Sequence, residues 1–543
     1  MRKVPAALAV LVAGVLVLYT VNLGHAPIYL HEAEVLFALH AQSIATTLHD
    51  TNGRLLPLYF QMPQIGDNVW FHPMVVYLMV PWLKILPMSE MAIRIPSVLV
   101  GLTDVVLIYF IAVRIFRSER WALLAAGLLA LTPSHFMHSR MAMDYLYPVP
   151  FVLAWLLCLL TFLEHRQSRT LFAATSFLGV GVYSYIASTI MMPLYLAITL
   201  IVIWATVERP WRWWLIAVAG FAWPLCLLVW FVFYPQMIVE TLSRYGLDRG
   251  TAAPWPKGAP MGVVLDTMWR TARLSGRFSQ YWSFFDPAYL FLTGGFANVV
   301  NSTRHVGVFP MSFIALVPIG AAVLLRRSRP IVDTLVLVAF ASAPLAACLA
   351  VPEPYAIDRE LELLPFGVLI AVAGARHLTT APLRAWRAAG VVLLAAVPLH
   401  FVFFTVDYYR DYPKGAAFWF NWNSRDAIAQ IIALEPQWHP PAIYLSTHHV
   451  SNLDAYWRLY LRKYGREDLL TRTVLFDSER FDVPSIQPGS LLLVGRDDTA
   501  LAASIDAGLL RRVASIPEPA DPPFFSILVR TPMAARMAEL VTP

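Results

Sequence analysis

The sequence predicts a polytopic α-helical membrane protein of about eleven transmembrane helices carrying a small C-terminal α/β soluble domain. Three observations predict it. The 543 residues are 58% hydrophobic and only 14% charged, with mean hydropathy +0.59, far from an ordinary soluble chain. Eleven apolar stretches run through the first 406 residues and are read as membrane spans, for which roughly 20 apolar residues are needed. After Val406 the pattern changes to short β-rich runs alternating with amphipathic helices.

The spans are read at about 4–23, 91–113, 121–137, 146–163, 170–186, 189–207, 213–233, 307–325, 331–351, 361–375 and 388–406. Basic residues between them segregate by side. Arg2 and Lys3 precede the first span, and Arg114, Arg117 and Arg120 follow the second. Then come Arg166 and Arg169, Arg209 and Arg212, the cluster Arg326, Arg327 and Arg329, and Arg376, Arg384 and Arg387. The short opposing loops carry only Arg140 and Arg359. The excess of arginine on cytoplasmic loops therefore predicts a cytoplasmic N-terminus and an extracytoplasmic C-terminal domain, in the plasma (inner) membrane. The net charge of +6 reflects these orientation signals. The basic residues form no aromatic-interleaved groove, which argues against nucleic acid as a partner. The first span reads as an uncleaved signal anchor, because no small-residue cleavage site follows it. Cys158, Cys226 and Cys348 all fall inside spans and make neither a disulfide framework nor a metal motif.

Residues 1–410 are thus expected to form the membrane domain and 411–543 an extracytoplasmic α/β domain. Two outer loops are long, 24–89 and 234–306. The first contains the amphipathic stretch Met74–Leu86, expected to lie along the membrane interface. The second contains the proline-rich Ala253–Pro260 and the aromatic run Tyr281–Pro287, suited to the headgroup layer. In the C-terminal region, helices are expected at Arg425–Leu434 and Leu453–Tyr464. Strands are expected at Ala442–Ser446, Thr473–Phe476, Ser490–Val494 and Phe525–Arg530, in a largely parallel sheet. No nucleotide-binding fingerprint occurs there, and the domain is read as accessory or acceptor-contacting.

Ionisable residues beside a bilayer are costly and usually mark a site. On the outer side these are Glu32 and Glu34 in the first loop and Asp144 after the third span. A general base that deprotonates an acceptor hydroxyl or amine needs such a carboxylate, with a second acid to orient it. The alternative for either glutamate is to cap the helix that starts there, since acids favour helix N-termini. Arg304, His305 and Arg359 fall at the depth of a lipid phosphate, which guanidinium groups bind bidentately; the alternative is snorkelling to headgroups. Asp104, midway along the second span, reads as structural, bonded to Thr103 or a neighbouring helix. His72 and His135 read as orienting or interfacial groups. A divalent metal is compatible with the His/carboxylate set, although no ligand spacing is diagnostic.

In order and spacing, several stretches resemble the bacterial members of glycosyltransferase family 39. This is the branch of the GT-C superfamily that includes protein O-mannosyltransferases and the lipid A aminoarabinose transferase. They are Glu34 followed by His49–Phe60, then Arg94–Gly101, Thr132–Asp144, Phe285–Gly294 and Tyr408–Pro413. The resemblance implies an Asp-Glu pair in the first outer loop, the Asp acting on the acceptor. The register set by Asp50 places Glu34 on the family's Glu and Ala33 on its Asp, so this chain departs from the pattern there. Glu32 is the nearby substitute. Asp144 takes the family's second-loop acidic position and Arg304 its basic position before the eighth span. Asp50, His72 and Arg140 are then expected to orient acceptor or sugar.

The resemblance implies an inverting membrane glycosyltransferase of the cell envelope. It would move a hexosyl or pentosyl group from a polyprenyl-phosphate donor to a lipid, glycan or protein acceptor at the outer face. Two alternatives stand beside it. A lipid-linked saccharide transporter or flippase would show internal repeats and interrupted helix pairs, and the sequence has neither. A catalytically retired homologue would account for Ala33.

Overall fold

The computed structural model describes residues 5–62, 69–232, 280–295, 299–326, 330–350, 355–448, 450–520 and 522–531. Arg2, Lys3, Arg327, Arg329 and the Ala253–Pro260 segment lie outside the described residues. The chain divides into two compact units. Unit 1 comprises Met1–Val21, Leu56–Leu78 and Arg94–Asp407; unit 2 comprises Asn22–Leu55, Met79–Ile93 and Tyr408–Pro543.

Unit 1 is helical, and each of the eleven apolar stretches is occupied by helix. In chain order these helices begin with α1 (Ala6–Thr20). The first long loop contributes α2 (Glu32–Thr47), which belongs to unit 2, the short antiparallel pair β1 (Phe60–Gln61) and β2 (Trp70–Phe71), and α3 (Met74–Ile85), whose residues are divided between the two units. Then follow α4 (Glu90–Phe116), α5 (Glu119–Ala130), α6 (Pro133–Ser139), α7 (Val149–His165), α8 (Ser168–Gly181), α9 (Ser188–Thr206) and α10 (Pro210–Ala222). After the second long loop come α11 (Phe313–Leu325), α12 (Pro330–Ser342), α13 (Pro344–Ala350), α14 (Leu363–Thr379) and α15 (Arg384–Arg410). Among the described residues six helical stretches are long and apolar enough to cross a membrane: Glu90–Phe116, Asp144–His165, Ser188–Thr206, Pro210–Trp230, Ile331–Cys348 and Arg384–Arg410. The remaining apolar helices are shorter.

Proline explains several of the shorter pieces. A proline has no N–H to give and its ring collides with the preceding turn. The third stretch breaks between α5 and α6 at Thr132-Pro133, and the ninth between α12 and α13 at Ala343-Pro344. The seventh passes from α10 into a 3₁₀ segment, Trp223–Val232, that contains Pro224. At α6 the proline takes the first turn, where its missing donor costs nothing.

Close helix packing without a hydrophobic drive needs small residues. A Cβ on Gly320 of α11 would sit 1.9 Å from the Ile370 carbonyl oxygen of α14, and one on Gly374 2.2 Å from that of Leu316. Gly101 of α4, within the Arg94–Gly101 stretch, would bring a Cβ to 2.2 Å from Ser139 Oγ. Asp104 pairs with a neighbouring helix: its Oδ2 lies 3.3 Å from His135 Nε2 on α6, whose Nδ1 lies 2.9 Å from the Tyr19 hydroxyl of α1. This ties α1, α4 and α6 together inside unit 1.

Unit 2 contains the C-terminal α/β domain. Its helices are α16 (Tyr412–Ala416), α17 (Ser424–Trp438), α18 (Leu453–Tyr464) and the short α19 (Ala502–Asp506). Its strands are β3 (Ile443–Ser446), β4 (Thr473–Phe476), β5 (Leu491–Gly495), β6 (Leu510–Ser515) and β7 (Phe525–Arg530), in the order β4-β3-β5-β7-β6. The expected helices and strands are present, with β6 in addition. The sheet is mixed rather than largely parallel: β4-β3-β5 are parallel, whereas β7 pairs antiparallel with both β5 and β6. The reason is the connection. Only α18 makes a full helical crossover between parallel neighbours, and the β6–β7 link is a hairpin-like return. The short, polar-leading β6 (Leu510-Arg-Arg-Val-Ala-Ser515) gave no alternating apolar signal. Helix α18 packs on α17, on β3 and on α2, which belongs to the same unit.

Candidate active site

In unit 1, α6 ends at Ser139 and the chain turns through Arg140–Met143 into a 3₁₀ turn, Asp144–Leu146, that leads into α7. Asp144 is buried. This turn packs against a second one, Ile357–Arg359, which precedes α14. Asp144, Asp358 and Arg359 therefore converge, and all three act electrostatically on the hydroxyls of Tyr145 and Tyr185. The Tyr145 ring meets His138 edge-on at 6.2 Å and Tyr185 at 5.5 Å. Arg359 Nε lies 3.8 Å from Asp358 Oδ2, with 21% and 14% of the two side chains exposed. A partly exposed guanidinium beside two carboxylates and two hydroxyls can hold a phosphate and orient a sugar hydroxyl.

The second long loop returns beside this turn. Its Phe285–Gly294 stretch forms a wide helical turn, Tyr289–Thr293, closed by Gly294 at φ +62°. The Tyr289 hydroxyl donates to Glu360 Oε1 at 2.8 Å. Burial pushes the Glu360 carboxyl well above the usual range; the Tyr289 bond opposes this, and the nearby Glu362 and Asp358 add to it. Arg304 is exposed, at φ +65°. Its neighbour His305 places Nδ1 2.9 Å from Asp407 Oδ1, near the end of α15.

Two further sequence candidates hold the scaffold of unit 1. Arg140 is fully buried, and its guanidinium donates to the carbonyls of Tyr19 at 2.7 Å and Val21 at 2.8 Å, at the C-terminus of α1. Cations suit that end of a helix. His72 is buried, its ring edge-on to Tyr59 at 5.2 Å.

In unit 2, the carboxylates of the first loop open α2. Glu34 is fully buried, and its Oε2 accepts the His31 N–H at 2.9 Å while His31 Nδ1 accepts the Ala33 N–H at 3.1 Å. The reciprocal pair is a capping box. Of the two glutamates, Glu34 is thus the one that caps. Glu32 is half-buried and its Oε1 accepts from Asn452 Nδ2. Burial raises the Glu32 carboxyl above its ordinary range, and the Asn452 bond opposes that rise. Asp50 pins a tight loop: Oδ1 accepts the N–H groups of Asn52 at 2.9 Å and Arg54 at 2.8 Å, and Oδ2 accepts Arg54 Nε at 3.1 Å.

Within unit 1, then, Asp144 and Arg359 meet; within unit 2, Glu32 and Glu34 share one helix start. Asp358, Tyr145, Tyr185, Asp407 and Asn452 were not singled out by sequence. Three of them adjoin residues that were: Tyr145 follows Asp144, Asp358 precedes Arg359, and Asp407 precedes Tyr408–Pro413. Among the described residues, no three His, Cys, Asp or Glu side chains are grouped to hold a metal ion.

Residues 72–233 match the family model described as dolichyl-phosphate-mannose-protein mannosyltransferase. No curated protein sequence matches the chain. The fold is similar to that of ArnT from Cupriavidus metallidurans in the apo state, at TM-score 0.55 and 15% identity, over 96% of this chain and 97% of that one. It is similar also to the same enzyme bound to undecaprenyl phosphate, at TM-score 0.54 and 13% identity with the same coverage. The chain is a polytopic helical protein that shares the fold of that enzyme, and over residues 72–233 its resemblance to glycosyltransferase family 39 coincides with the mannosyltransferase model.

Proposed function

We propose that the protein is a membrane glycosyltransferase that moves a sugar from a polyprenyl-phosphate donor to a lipid, glycan or protein acceptor at the outer face, with inversion. The observation that carries this reading is the convergence of Asp144 with Asp358 and Arg359 in a chain sharing its fold with an enzyme seen bound to undecaprenyl phosphate. Arg359, with Arg304 and His305, neutralises the departing lipid phosphate, where positioned positive charge is worth a few kcal/mol of barrier. Asp144 orients the reacting hydroxyls. The acceptor base is a carboxylate of the first loop: Glu34 by register, with Glu32 beside it. Arg140 and Asp50, whose hydrogen bonds serve a helix end and a loop, orient the reacting groups only through the backbone they hold. Residues 1–410 form the catalytic membrane domain and 411–543 the extracytoplasmic domain, with a cytoplasmic N-terminus, as the arginine distribution supports.

Purified protein in lipid nanodiscs, offered a panel of polyprenyl-phosphate sugars with envelope lipids and glycans as acceptors, tests the reading. Release of free polyprenyl phosphate dependent on acceptor supports it. Movement of intact donor across the bilayer without loss of its sugar overturns it in favour of a flippase, and inertness toward every donor favours a retired homologue.

A further inference from the structure

We infer that His305 and Asp407 form a dyad in which Asp407 holds the imidazole and His305 Nε2 donates its proton to the phosphate that leaves the sugar. The inference rests on the donor-phosphate reading above and adds to it a positioning residue and a proton. Asp407 Oδ1 lies 2.9 Å from His305 Nδ1, with Asp407 7% and His305 62% exposed. A buried carboxylate on the rigid α15 thus fixes an otherwise exposed ring. Because Nδ1–H is committed to Asp407, the proton that the ring can give or take is at Nε2. That nitrogen has no partner among the described residues. The carboxylate's other oxygen, Oδ2, is buried without a hydrogen-bond partner among them, so Asp407 makes no bond that competes for its hold on the ring.

The direction of transfer follows from the adjoining residue. Arg304 is exposed and held at φ +65°, its own N–H donating to Ser302 Oγ at 3.0 Å. Arg304 adjoins His305 in sequence, and the donor-phosphate reading assigns both to the leaving anion, so the ring presents a proton instead of removing one. As the acceptor's attacking atom bonds to the anomeric carbon, the bond from that carbon to the phosphate oxygen breaks and its electron pair stays on that oxygen. Nε2–H passes to the phosphate, leaving a neutral ring still bonded through Nδ1–H to Asp407. The acceptor's proton goes separately to the first-loop carboxylate, and water re-protonates His305 between turnovers.

The test measures binding and turnover separately, on the whole protein in nanodiscs. Binding is read with undecaprenyl phosphate, with phosphatidylglycerol and with inorganic phosphate, for wild type, His305→Gln, His305→Lys, Asp407→Asn and Asp407→Glu. We expect wild type to prefer undecaprenyl phosphate and His305→Gln to weaken its binding about tenfold. His305→Lys keeps the positive charge, so binding is retained. A lysine ammonium ordinarily gives up its proton only near pH 10, so kcat falls about a hundredfold, within the usual span for general acid–base catalysis. Asp407→Asn should lower kcat, and Asp407→Glu should recover part of it, which loss of packing alone would not allow. Unchanged binding and kcat in His305→Gln and Asp407→Asn would overturn the dyad and leave the donor reading standing. Equal competition by phosphatidylglycerol would make this a headgroup contact and overturn it too. Failure of wild type to bind undecaprenyl phosphate would remove the reading on which it rests.

Discussion

At the scale of single residues, the two glutamates that open α2 are separated by what holds them. Glu34 is fully buried with Oε2 on the His31 N–H, and a glutamine there keeps the cap, since capping boxes accept Glu or Gln at that position. Glu34→Gln therefore isolates charge from structure. If Glu34 is the acceptor base, turnover falls at least about a hundredfold with thermal stability kept; unchanged turnover would leave Glu34 as a cap alone. Glu32→Gln should be milder. Burial raises the Glu32 carboxyl, so its ionised form is lost, as pH falls, earlier than for an ordinary glutamate. Any acid limb of the pH–rate profile owed to Glu32 should then lie above the usual glutamate range in wild type and move in Glu32→Gln. Arg140 is a different case. Its two terminal nitrogens donate to the Tyr19 and Val21 carbonyls, and Arg140→Met should cost on the order of 3 kcal/mol of stability through two charge-assisted bonds. Differential scanning of detergent-solubilised protein would read this; a variant with native stability and lost donor affinity would place Arg140 in the substrate site instead.

At the scale of elements, the α11–α14 contact is set by two glycines that allow backbone against backbone. A Cβ on Gly320 would stand 1.9 Å from the Ile370 carbonyl oxygen, and neither partner is the flexible end of a side chain. Gly320→Ala should cost about 3 kcal/mol, the upper end of ordinary overpacking, seen as lower yield and thermal stability. In unit 2, Glu518 joins two segments: Oε1 accepts the Asn423 N–H at 2.8 Å and Oε2 the Tyr29 hydroxyl at 3.1 Å. Burial pushes this carboxyl from 4.5 up to about 6. The protonated form is thus favoured in the fold, and the stabilisation it brings is complete below pH 4.5 and lost as pH rises through about 6. Glu518→Gln should flatten the decline in unfolding temperature between pH 5 and 7 that wild type shows; an identical slope in both would remove Glu518 from the account.

The same elements show what the sequence could and could not convey. Helix existence was legible because apolar stretches of span length have few other uses, and all eleven carry helix. Breaks at Pro133, Pro224 and Pro344 were readable in principle, since proline cannot donate, but hydropathy averages over them. The mixed sheet was not readable: β6 carries Arg511 and Arg512 in mid-strand, so alternation disappears. At the site, Asp144 and Arg359 were legible as ionisable groups beside the membrane. Their meeting was not, because it depends on two 3₁₀ turns more than two hundred residues apart in sequence. Asp407 was hidden inside the last turns of a helix, where an acid ordinarily reads as solvated.

At the scale of the whole molecule, the arginine pattern makes a topology prediction. Reporter fusions after residues 118, 167 and 380 should read cytoplasmic, and those after 60 and 450 extracytoplasmic. A cytoplasmic reading at 450 would break the proposed arrangement of an outer C-terminal domain. In the proposed reaction the Asp144 turn acts on a sugar carried by a polyprenyl phosphate. Its most direct test is single-turnover release of polyprenyl phosphate from a radiolabelled polyprenyl-phosphate sugar, in nanodiscs with acceptor present, comparing wild type with Asp144→Asn and Arg359→Gln. Wild type should show acceptor-dependent release, Asp144→Asn a loss of about a hundredfold or more, and Arg359→Gln a weakened dependence on donor concentration. Full release by both variants at limiting donor would contradict that reaction.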